Sequence, residues 1–401
     1  MTGELLREGR ASPELRLPPP RALYVHFPFC PHRCHYCDYA ARGATRPPVE
    51  DWLEAVSAEL RARCDRPEWD GRPQLESIYV GGGTPSLLGG AGVEALTDRL
   101  RRHVRWEPGD VEWTVEANPE SLDAATARRW RAAGVTRITV GVQSFRERAL
   151  DWLGRLHDPA GARRALAAAR GADVSVVNAD LMYGLPEEAG GPGAADDARE
   201  LADAGVEHVS LYGLEAAAGT ALGRWVEGGL VSMPGGGREG RAYLEISRVL
   251  REAGYRHYEV TNLARPGHES RHNRATWDGT PYLGLGPSAH SFLPPLRLRN
   301  ERRWAAYRNA VRQRRGPVAG AERRDDEGRR LERIWLSMRR RSGLSADDPL
   351  LERLERSAEE ELREWEDRGW IRRDDAGLSP TPRGWLHLDD LVATLAARLE
   401  R

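Results

Sequence analysis

Apolar residues along this chain follow two alternating patterns, short β-rich runs and longer segments with apolar residues every three to four positions. The runs predict strands at residues 22–27, 77–80, 111–116, 137–143, 174–181 and 208–214. The longer segments predict helices that include residues 49–66, 93–104, 124–133, 160–169 and 240–253. Since right-handed crossovers join successive parallel strands, this order predicts an α/β fold in which the six parallel strands curl into a full or partial TIM-like barrel.

The same pattern divides the chain into four segments. Residues 1–20 form a leader, and residues 21–255 contain the predicted barrel. Residues 256–300 are rich in His, Gly and Pro and predict an irregular linker. Residues 301–401 predict a small, mainly helical, winged-helix-like C-terminal domain, with a strand pair near residues 370–379.

The composition of the chain disfavours or excludes several classes of protein. The 60 basic and 61 acidic residues give a formal net charge of −1 at pH 7, and 40% of the 401 residues are hydrophobic. This balance indicates a globular chain and disfavours nucleic acid as a partner. Because the sequence shows no transmembrane run and no apolar secretory signal, we expect a cytoplasmic protein. All the basic residues are arginine, which excludes chemistry that needs a lysine amine.

Three of the four cysteines form a C-x3-C-x2-C motif directly after the first predicted strand, and they are Cys30, Cys34 and Cys37. A [4Fe–4S] cluster held by three thiolates keeps one iron free for a further ligand, whereas structural zinc takes four ligands. The motif therefore indicates an iron–sulfur cluster. Zinc is the alternative, and its fourth ligand would come from His26, His32 or His35.

Other predicted strands also end in glycine-rich or polar residues. The second leads into residues 81–85 (GGGTP), and the next three carry Glu116, Gln143 and Asp180 at or near their ends. In (β/α) barrels the loops after the strands converge on one face. These endings together predict one cofactor site, which a structural zinc ion would not explain. Cys64 lies in a helical apolar pattern and is predicted to be a buried thiol.

The cysteine motif resembles that of the radical S-adenosylmethionine (SAM) proteins. Further motifs are similar to the coproporphyrinogen III oxidase-like branch of that superfamily, and they are Tyr24 and residues 81–85, 116–120, 141–145 and 180–186. Two motifs are similar to the HemW-type haem chaperones within the branch, at residues 265–273 and 282–292. The resemblance covers about residues 20–295 and implies a radical SAM core, which is a partial (β/α)6 TIM-like barrel.

The resemblance implies a [4Fe–4S] cluster on the three motif cysteines, with SAM chelating the fourth iron. Tyr36 would pack against the adenine of SAM. Backbone N–H groups of Gly82, Gly83 and Thr84 would approach the aminoacyl end, since a Cβ would block such contact. The remaining residues implied to line the SAM pocket are Tyr24, Glu116, Gln143, Arg155 and Asp180.

The resemblance also implies a tetrapyrrole site in residues 256–300. His272 is the first candidate for an axial ligand of haem iron, with Trp277 as a stacking wall. Thr276 replaces the tyrosine of the family pattern. His268 and His290 are rival ligands, and the alternative is that all three histidines only form hydrogen bonds within a loop.

Two functions fit these features. The first is a haem chaperone that binds haem, keeps a cluster with exchangeable SAM and passes haem to an acceptor protein. The second is the oxygen-independent coproporphyrinogen III oxidase, which decarboxylates propionates by radical chemistry. Tyr39 stands where the oxidase pattern has a further cysteine, which favours the chaperone. An electron donor is a further expected partner if SAM is cleaved, and no catalytic residue is assigned.

Overall fold

The computed structural model describes residues 16–69 and 71–399, so residues 1–15 of the predicted leader lie outside the described residues. Twelve strands form one sheet: β1 Ala22–Phe27, β2 Ser77–Gly82, β3 Glu112–Ala117, β4 Arg137–Gln143, β5 Val176–Tyr183, β6 His208–Gly213, β7 Arg256–Glu259, β8 Asn262–Ala264, β9 Tyr282–Leu285, β10 His290–Leu293, β11 Leu296–Asn300 and β12 Val318–Arg323. A second sheet contains β13 Leu344–Ser345, β14 Ile371–Asp374 and β15 Gly377–Pro380.

The first eight α-helices belong to the barrel region: α1 Val49–Cys64, α2 Gly89–Arg101, α3 Ala124–Ala133, α4 Glu147–Leu153, α5 Pro159–Arg170, α6 Ala194–Asp203, α7 Ala221–Glu227 and α8 Gly236–Glu252. The later helices are α9 Arg271–Trp277, α10 Trp304–Arg312, α11 Asp326–Met338, α12 Pro349–Ser357, α13 Glu359–Asp367, α14 Pro382–Trp385 and α15 Leu388–Leu399. None of these helices is both long enough and apolar enough to cross a membrane.

The six predicted strands β1 to β6 lie side by side in chain order, and each pair is parallel. This arrangement confirms the predicted α/β fold, a partial TIM-like barrel with a mainly helical C-terminal domain. The observed strand bounds differ from the predicted ones by at most two residues at either end. The strands begin and end together, so their carboxyl ends form one face of the barrel.

Side chains alternate between the two sides of the barrel strands. On β3, Trp113, Val115 and Ala117 belong to the main apolar core between sheet and helices. Thr114 and Glu116 alternate with them and face the barrel interior. The hydrophobic core therefore lies outside the barrel wall, and the interior is left to polar groups.

The sheet extends beyond the predicted strands, into the segment expected to be an irregular linker. β9 pairs in parallel with β1, and Tyr282 lies opposite Ala22. β10, β11 and β12 continue the sheet as antiparallel strands. At the other edge, β8 and β7 add to β6. These added strands cover the edges of the sheet that β1 and β6 would otherwise leave unpaired.

The C-terminal region combines helices α11 to α15 with a small antiparallel sheet in the order β13, β15, β14. The strand pair expected near residues 370–379 is present as β14 and β15. The main sheet draws on residues from Ala22 to Arg323, so it crosses the predicted boundaries near 255 and 300. The division of the chain into four segments stays a prediction, as does the cytoplasmic location.

Candidate functional site

A cavity of about 500 Å³ opens at the carboxyl ends of the barrel strands. Eleven of the thirteen predicted site residues line it: Cys30, Cys34, Tyr36, Cys37, Gly82, Gly83, Thr84, Glu116, Gln143, Arg155 and Asp180. The other two, Tyr24 and His272, are not among its lining residues. The predicted convergence of strand ends therefore brings most of these residues to one place.

The cysteine loop is held against the barrel by backbone pairing. Phe29–Cys30 forms a short parallel strand pair with Arg42–Gly43, and the Ala44 N–H donates to the Cys30 carbonyl oxygen at 2.9 Å. The Thr84 hydroxyl donates to Cys30 Sγ at 3.0 Å. Three sulfur atoms thus face one cavity from a fixed loop.

Burial raises the pKa of both the Cys30 and the Cys37 thiol. Bound iron replaces these protons, because the thiolate is the form that binds metal. Hydrogen bonds to sulfur and partial exclusion of water are features that stabilise and tune iron–sulfur clusters. The donor set and its surroundings therefore fit a cluster held by three cysteines.

The glycine-rich turn differs from its predicted role. The N–H groups of Gly82, Gly83 and Thr84 are already donated, to Glu116 Oε2 at 3.0 Å and to the carbonyl oxygens of Phe27 and Phe29 at 2.8 Å each. These N–H groups are therefore not free to bind the aminoacyl end of SAM, in contrast to the expectation from the sequence. A Cβ on Gly83 would lie 2.4 Å from the Phe29 carbonyl oxygen, so glycine here permits close packing against the cysteine segment.

Two carboxyl groups line the cavity beyond this turn. Glu116 accepts a hydrogen bond from the Tyr79 hydroxyl at 2.7 Å, and burial raises the pKa of Glu116. Burial and the neighbouring Glu116 charge raise the pKa of Asp180 to about 7. Asn178 Nδ2 donates to Asp180 at 3.1 Å. Such poorly compensated acids in a cleft are typical of ligand sites.

Arg155 enters the cavity from the loop after α4, as the resemblance implies for a residue of the SAM pocket. Its Nη2 donates to Asn118 Oδ1 at 2.9 Å and to the Gly141 carbonyl oxygen at 3.1 Å, and Nη1 lies 3.6 Å from Cys34 Sγ. Among the described residues its Nε has no hydrogen-bond partner. Gln143, at the end of β4, has a left-handed backbone with φ of 66°, a strain that proteins retain mainly at functional sites.

His272 lies at the opposite end of the barrel. It is 8% exposed, its Nδ1 lies 3.0 Å from the Ser77 hydroxyl, and its backbone N–H donates to Glu112 at 3.0 Å. Ser77 and Glu112 are the first residues of β2 and β3. Burial lowers the pKa of His272 to about 4, so its ring is neutral at pH 7. Its role as a haem ligand stays a prediction.

Tyr24 lies between the two ends of the barrel. Its ring stacks on Tyr79, with 6.0 Å between centroids, and lies 6.5 Å from the His272 ring. Its hydroxyl is 3.2 Å from His26 Nδ1. Tyr24 therefore supports the wall below the cavity.

Of the two rival histidines, His268 lies at the same end of the barrel as His272, because Arg137 contacts His268 and also pairs with Glu112, which binds the His272 N–H. The His268 carbonyl oxygen accepts a hydrogen bond from Arg137, and His290 is exposed on β10. The Trp277 ring, expected to stack on a macrocycle, is faced by the Arg339 guanidinium at 5.3 Å.

Several further cavity residues were not predicted from the sequence. Tyr212 lines the cavity at the end of β6, beside Glu215, whose position at the end of the sixth predicted strand the sequence did indicate, and Glu239 reaches it from α8. Tyr39 also lines it and is 57% exposed. The strand-end rule could have found Tyr212, which is the penultimate residue of β6. No sequence signal marks Glu239, because its helix is distant in the chain from the cysteine loop.

Comparison with known proteins agrees with this geometry. The profile of the radical SAM superfamily matches residues 24–191. The protein of Mycobacterium tuberculosis named heme chaperone HemW is 38% identical over 334 residues, which cover 81% of this chain and 83% of that protein. The chain belongs to the HemW family of radical SAM proteins. Membership in this superfamily implies a [4Fe–4S] cluster and SAM.

Two further comparisons extend the match across nearly the whole chain. The heme chaperone HemW of Synechocystis is 30% identical over 408 residues, covering 95% of this chain and 97% of that protein. Among solved structures, coproporphyrinogen III oxidase (HemN) from Escherichia coli matches with a TM-score of 0.77 and 21% identity, covering 95% of this chain and 90% of the other. At this identity the structural match shows the shared fold.

Proposed function

We propose that this protein is a haem chaperone. It holds a [4Fe–4S] cluster with exchangeable SAM in the carboxyl-end cavity, binds haem, and transfers the haem to an acceptor protein. The observation that carries this proposal is the 38% identity over most of the chain to a protein named heme chaperone HemW, together with three cysteines on one cavity.

Cys30, Cys34 and Cys37 would hold the cluster, and the remaining predicted cavity residues would surround SAM. When bound, the cluster supplies the electron for reductive SAM cleavage. Glu116 provides a fixed acceptor for ligand hydroxyl groups, because the Tyr79 hydroxyl and the Gly82 N–H orient its carboxylate. Arg155 restrains the loop around Cys34, because it contacts Cys34 Sγ and also donates to Asn118 and Gly141.

We retain His272 as the proposed haem ligand. A neutral imidazole is the form that binds iron, and the Ser77 contact at Nδ1 leaves Nε2 as the coordinating nitrogen. Haem would then contact the α9 end of the barrel, away from the cluster. Replacing His272 with alanine is expected to weaken haem binding or change the haem absorption spectrum. An unchanged affinity and spectrum would remove this residue as the ligand.

The function is tested on anaerobically reconstituted protein by haem titration and product analysis. We expect one haem per chain and no protoporphyrinogen from coproporphyrinogen. Efficient decarboxylation would instead establish the alternative, the oxygen-independent coproporphyrinogen III oxidase. Haem transfer is measured by mixing the loaded protein with a haem-free acceptor such as apomyoglobin and comparing its rate with that of free haem.

A further inference from the structure

Exposed arginines gather beside the cysteine loop. We call this set the basic rim, and it consists of Arg33, Arg42, Arg46, Arg302 and Arg303. Three separate chain segments contribute to it. Their convergence is a property of the fold, since residues 302 and 303 are far from the loop in sequence.

Contacts of these residues or of their chain neighbours place them beside the loop, and Arg46 follows two residues after Ala44, whose N–H donates to the Cys30 carbonyl oxygen. The short strand pair sets Arg42 opposite Phe29, immediately before Cys30, and Arg33 lies inside the loop and lines the cavity. Arg302 Nη2 donates to the Asp38 carbonyl oxygen at 3.2 Å. The Trp304 ring packs edge-on against Phe29, with 5.5 Å between centroids, and therefore brings the segment before it to the same surface.

Little negative charge compensates the basic rim. Asp38 is the exposed acid of the loop and the half-buried Glu301 directly precedes Arg302, so five arginines against two acids leave a local net charge of +3. This contrasts with −1 for the whole chain. Nearby Glu50 pairs with Arg99, and Asp51 pairs with both Arg308 and Arg312.

Three members of the basic rim are also free of internal contacts. Within residues 16–69 and 71–399, the side chains of Arg42, Arg46 and Arg303 form neither an ion pair nor a hydrogen bond. Such charges do little for the stability of the fold. They raise the local positive potential, which attracts a complementary surface and orients it during encounter.

We propose that the basic rim docks an acidic one-electron carrier protein that reduces the cluster. This inference rests on the proposed function, because it requires a cluster on the cysteine loop. In the docked complex the carrier loses one electron and the cluster gains it. The rim lies beside the loop that would hold the cluster, so a carrier docked there lies close to the cluster. Nucleic acid also binds arginines, but it carries no electron and gives no reason for this location.

The test uses the full, cluster-loaded chain and an acidic plant-type [2Fe–2S] ferredoxin as the probe. Calorimetry at low ionic strength compares the wild type with the triple variant Arg42→Gln, Arg46→Gln, Arg303→Gln. We expect the Kd to rise about tenfold and to depend less on salt, because three steering charges are lost while the contacts of Arg33 and Arg302 with the loop remain.

The matched control replaces three exposed arginines elsewhere, Arg128, Arg256 and Arg372, with glutamine, which changes the net charge equally. We expect its Kd to stay within about twofold of the wild type. Equal weakening in both triple variants, or no ferredoxin binding by the wild type, would overturn the proposal.

Two further measurements separate the possible failures. Iron and sulfide analysis of each sample shows whether the cluster is present. If the reconstituted wild type contains no iron, the proposed function is contradicted. If the triple variant has normal iron and the same Kd for ferredoxin as the wild type, only the docking surface is contradicted. The second measurement is a titration of the wild type and the rim variant with a short DNA duplex. If the rim variant loses affinity for DNA while keeping its affinity for ferredoxin, the rim is a nucleic-acid surface and the docking proposal is wrong.

Discussion

Glu112 and Glu116 lie on the same strand, β3, yet the pKa values of their carboxyl groups are shifted in opposite directions. Glu112 forms an ion pair with Arg137 at 3.0 Å and accepts hydrogen bonds from the Ser270 hydroxyl and the His272 N–H. Although burial favours its neutral form, the Arg137 charge and the backbone N–H groups lower the pKa of Glu112. Glu116 has no ion pair within the described residues, and burial raises its pKa.

The two ends of the barrel therefore have different roles. At the amino end, the contacts of Glu112 connect β3, β4 and α9, so its charge stabilises the fold. At the carboxyl end, Glu116 and Asp180 face a cavity and keep capacity for a ligand. Stability and binding are thus assigned to opposite ends of the same strands, as is common in (β/α) barrels. Four predictions test this separation.

The largest effect is expected at the cysteine loop. Replacing Cys30, Cys34 and Cys37 together with serine should abolish iron binding, since no thiolate remains to hold it. The melting temperature of the cluster-free protein should change little, because the loop lies outside the main core. Iron and sulfide are measured after anaerobic reconstitution. The Cys64→Ser variant serves as control and should keep its iron; full iron content in the triple variant would contradict the cluster site.

At the amino end, Glu112→Ala should lower the free energy of unfolding by about 3–5 kcal/mol, because it leaves Arg137 buried without its carboxylate. SAM affinity of the folded variant should be unchanged. Urea unfolding and SAM titration measure the two quantities. Since the folded pKa of Glu112 is lowered, its contribution is present above the unfolded value and is lost as pH falls through the folded pKa. A stable variant with weak SAM binding would reverse our assignment.

At the carboxyl end, Glu116→Gln should weaken SAM binding by about 10- to 100-fold, the cost of losing a charged hydrogen-bond acceptor. The free energy of unfolding should stay equal or rise, because a buried charge with no cation is removed. Exposed Glu188→Gln is the control and should leave both quantities unchanged. Marked destabilisation with normal SAM affinity would show that Glu116 serves the fold instead.

The smallest effect is expected for Asp180→Asn. The folded pKa of about 7 is above the unfolded value near 4, so ionised Asp180 destabilises the SAM-free protein. This penalty is absent below about pH 4, grows as pH rises and is complete above about pH 7. The substitution should therefore stabilise the protein by about 1–2 kcal/mol at pH 8 and by nothing at pH 4, allowing for water in the cavity. A pH-independent difference in unfolding free energy would exclude this explanation.

The sequence predicted the barrel and most cavity residues because both depend on local pattern. Strand runs are visible in one window, and strand ends converge by topology, so Glu116, Gln143 and Asp180 were found without knowing any contact. The directions of N–H groups were not predictable. The turn at Gly82 and Gly83 has the composition of an open cradle, yet its donors are used within the protein.

The remaining failures come from contacts between distant segments. Gly284 and Gly286 interrupt the apolar run around β9, and its partner β1 is near the start of the barrel, so pairing could not be read from either segment alone. The place of His272 depends likewise on Ser77 and Glu112, which precede it by many residues. The sequence identified His272 as a possible ligand, but it did not predict at which end of the barrel this residue lies.

The pairing of β9 with β1 also has a consequence for biosynthesis. As the chain leaves the ribosome, the strand that precedes the cysteine loop must wait for about 260 further residues before its second neighbour is available. Until then its backbone offers an open template for other nascent chains. Iron loading before β9 has emerged would therefore occur on a half-enclosed loop, so assembly of the metal centre is best timed after β9 has left the ribosome.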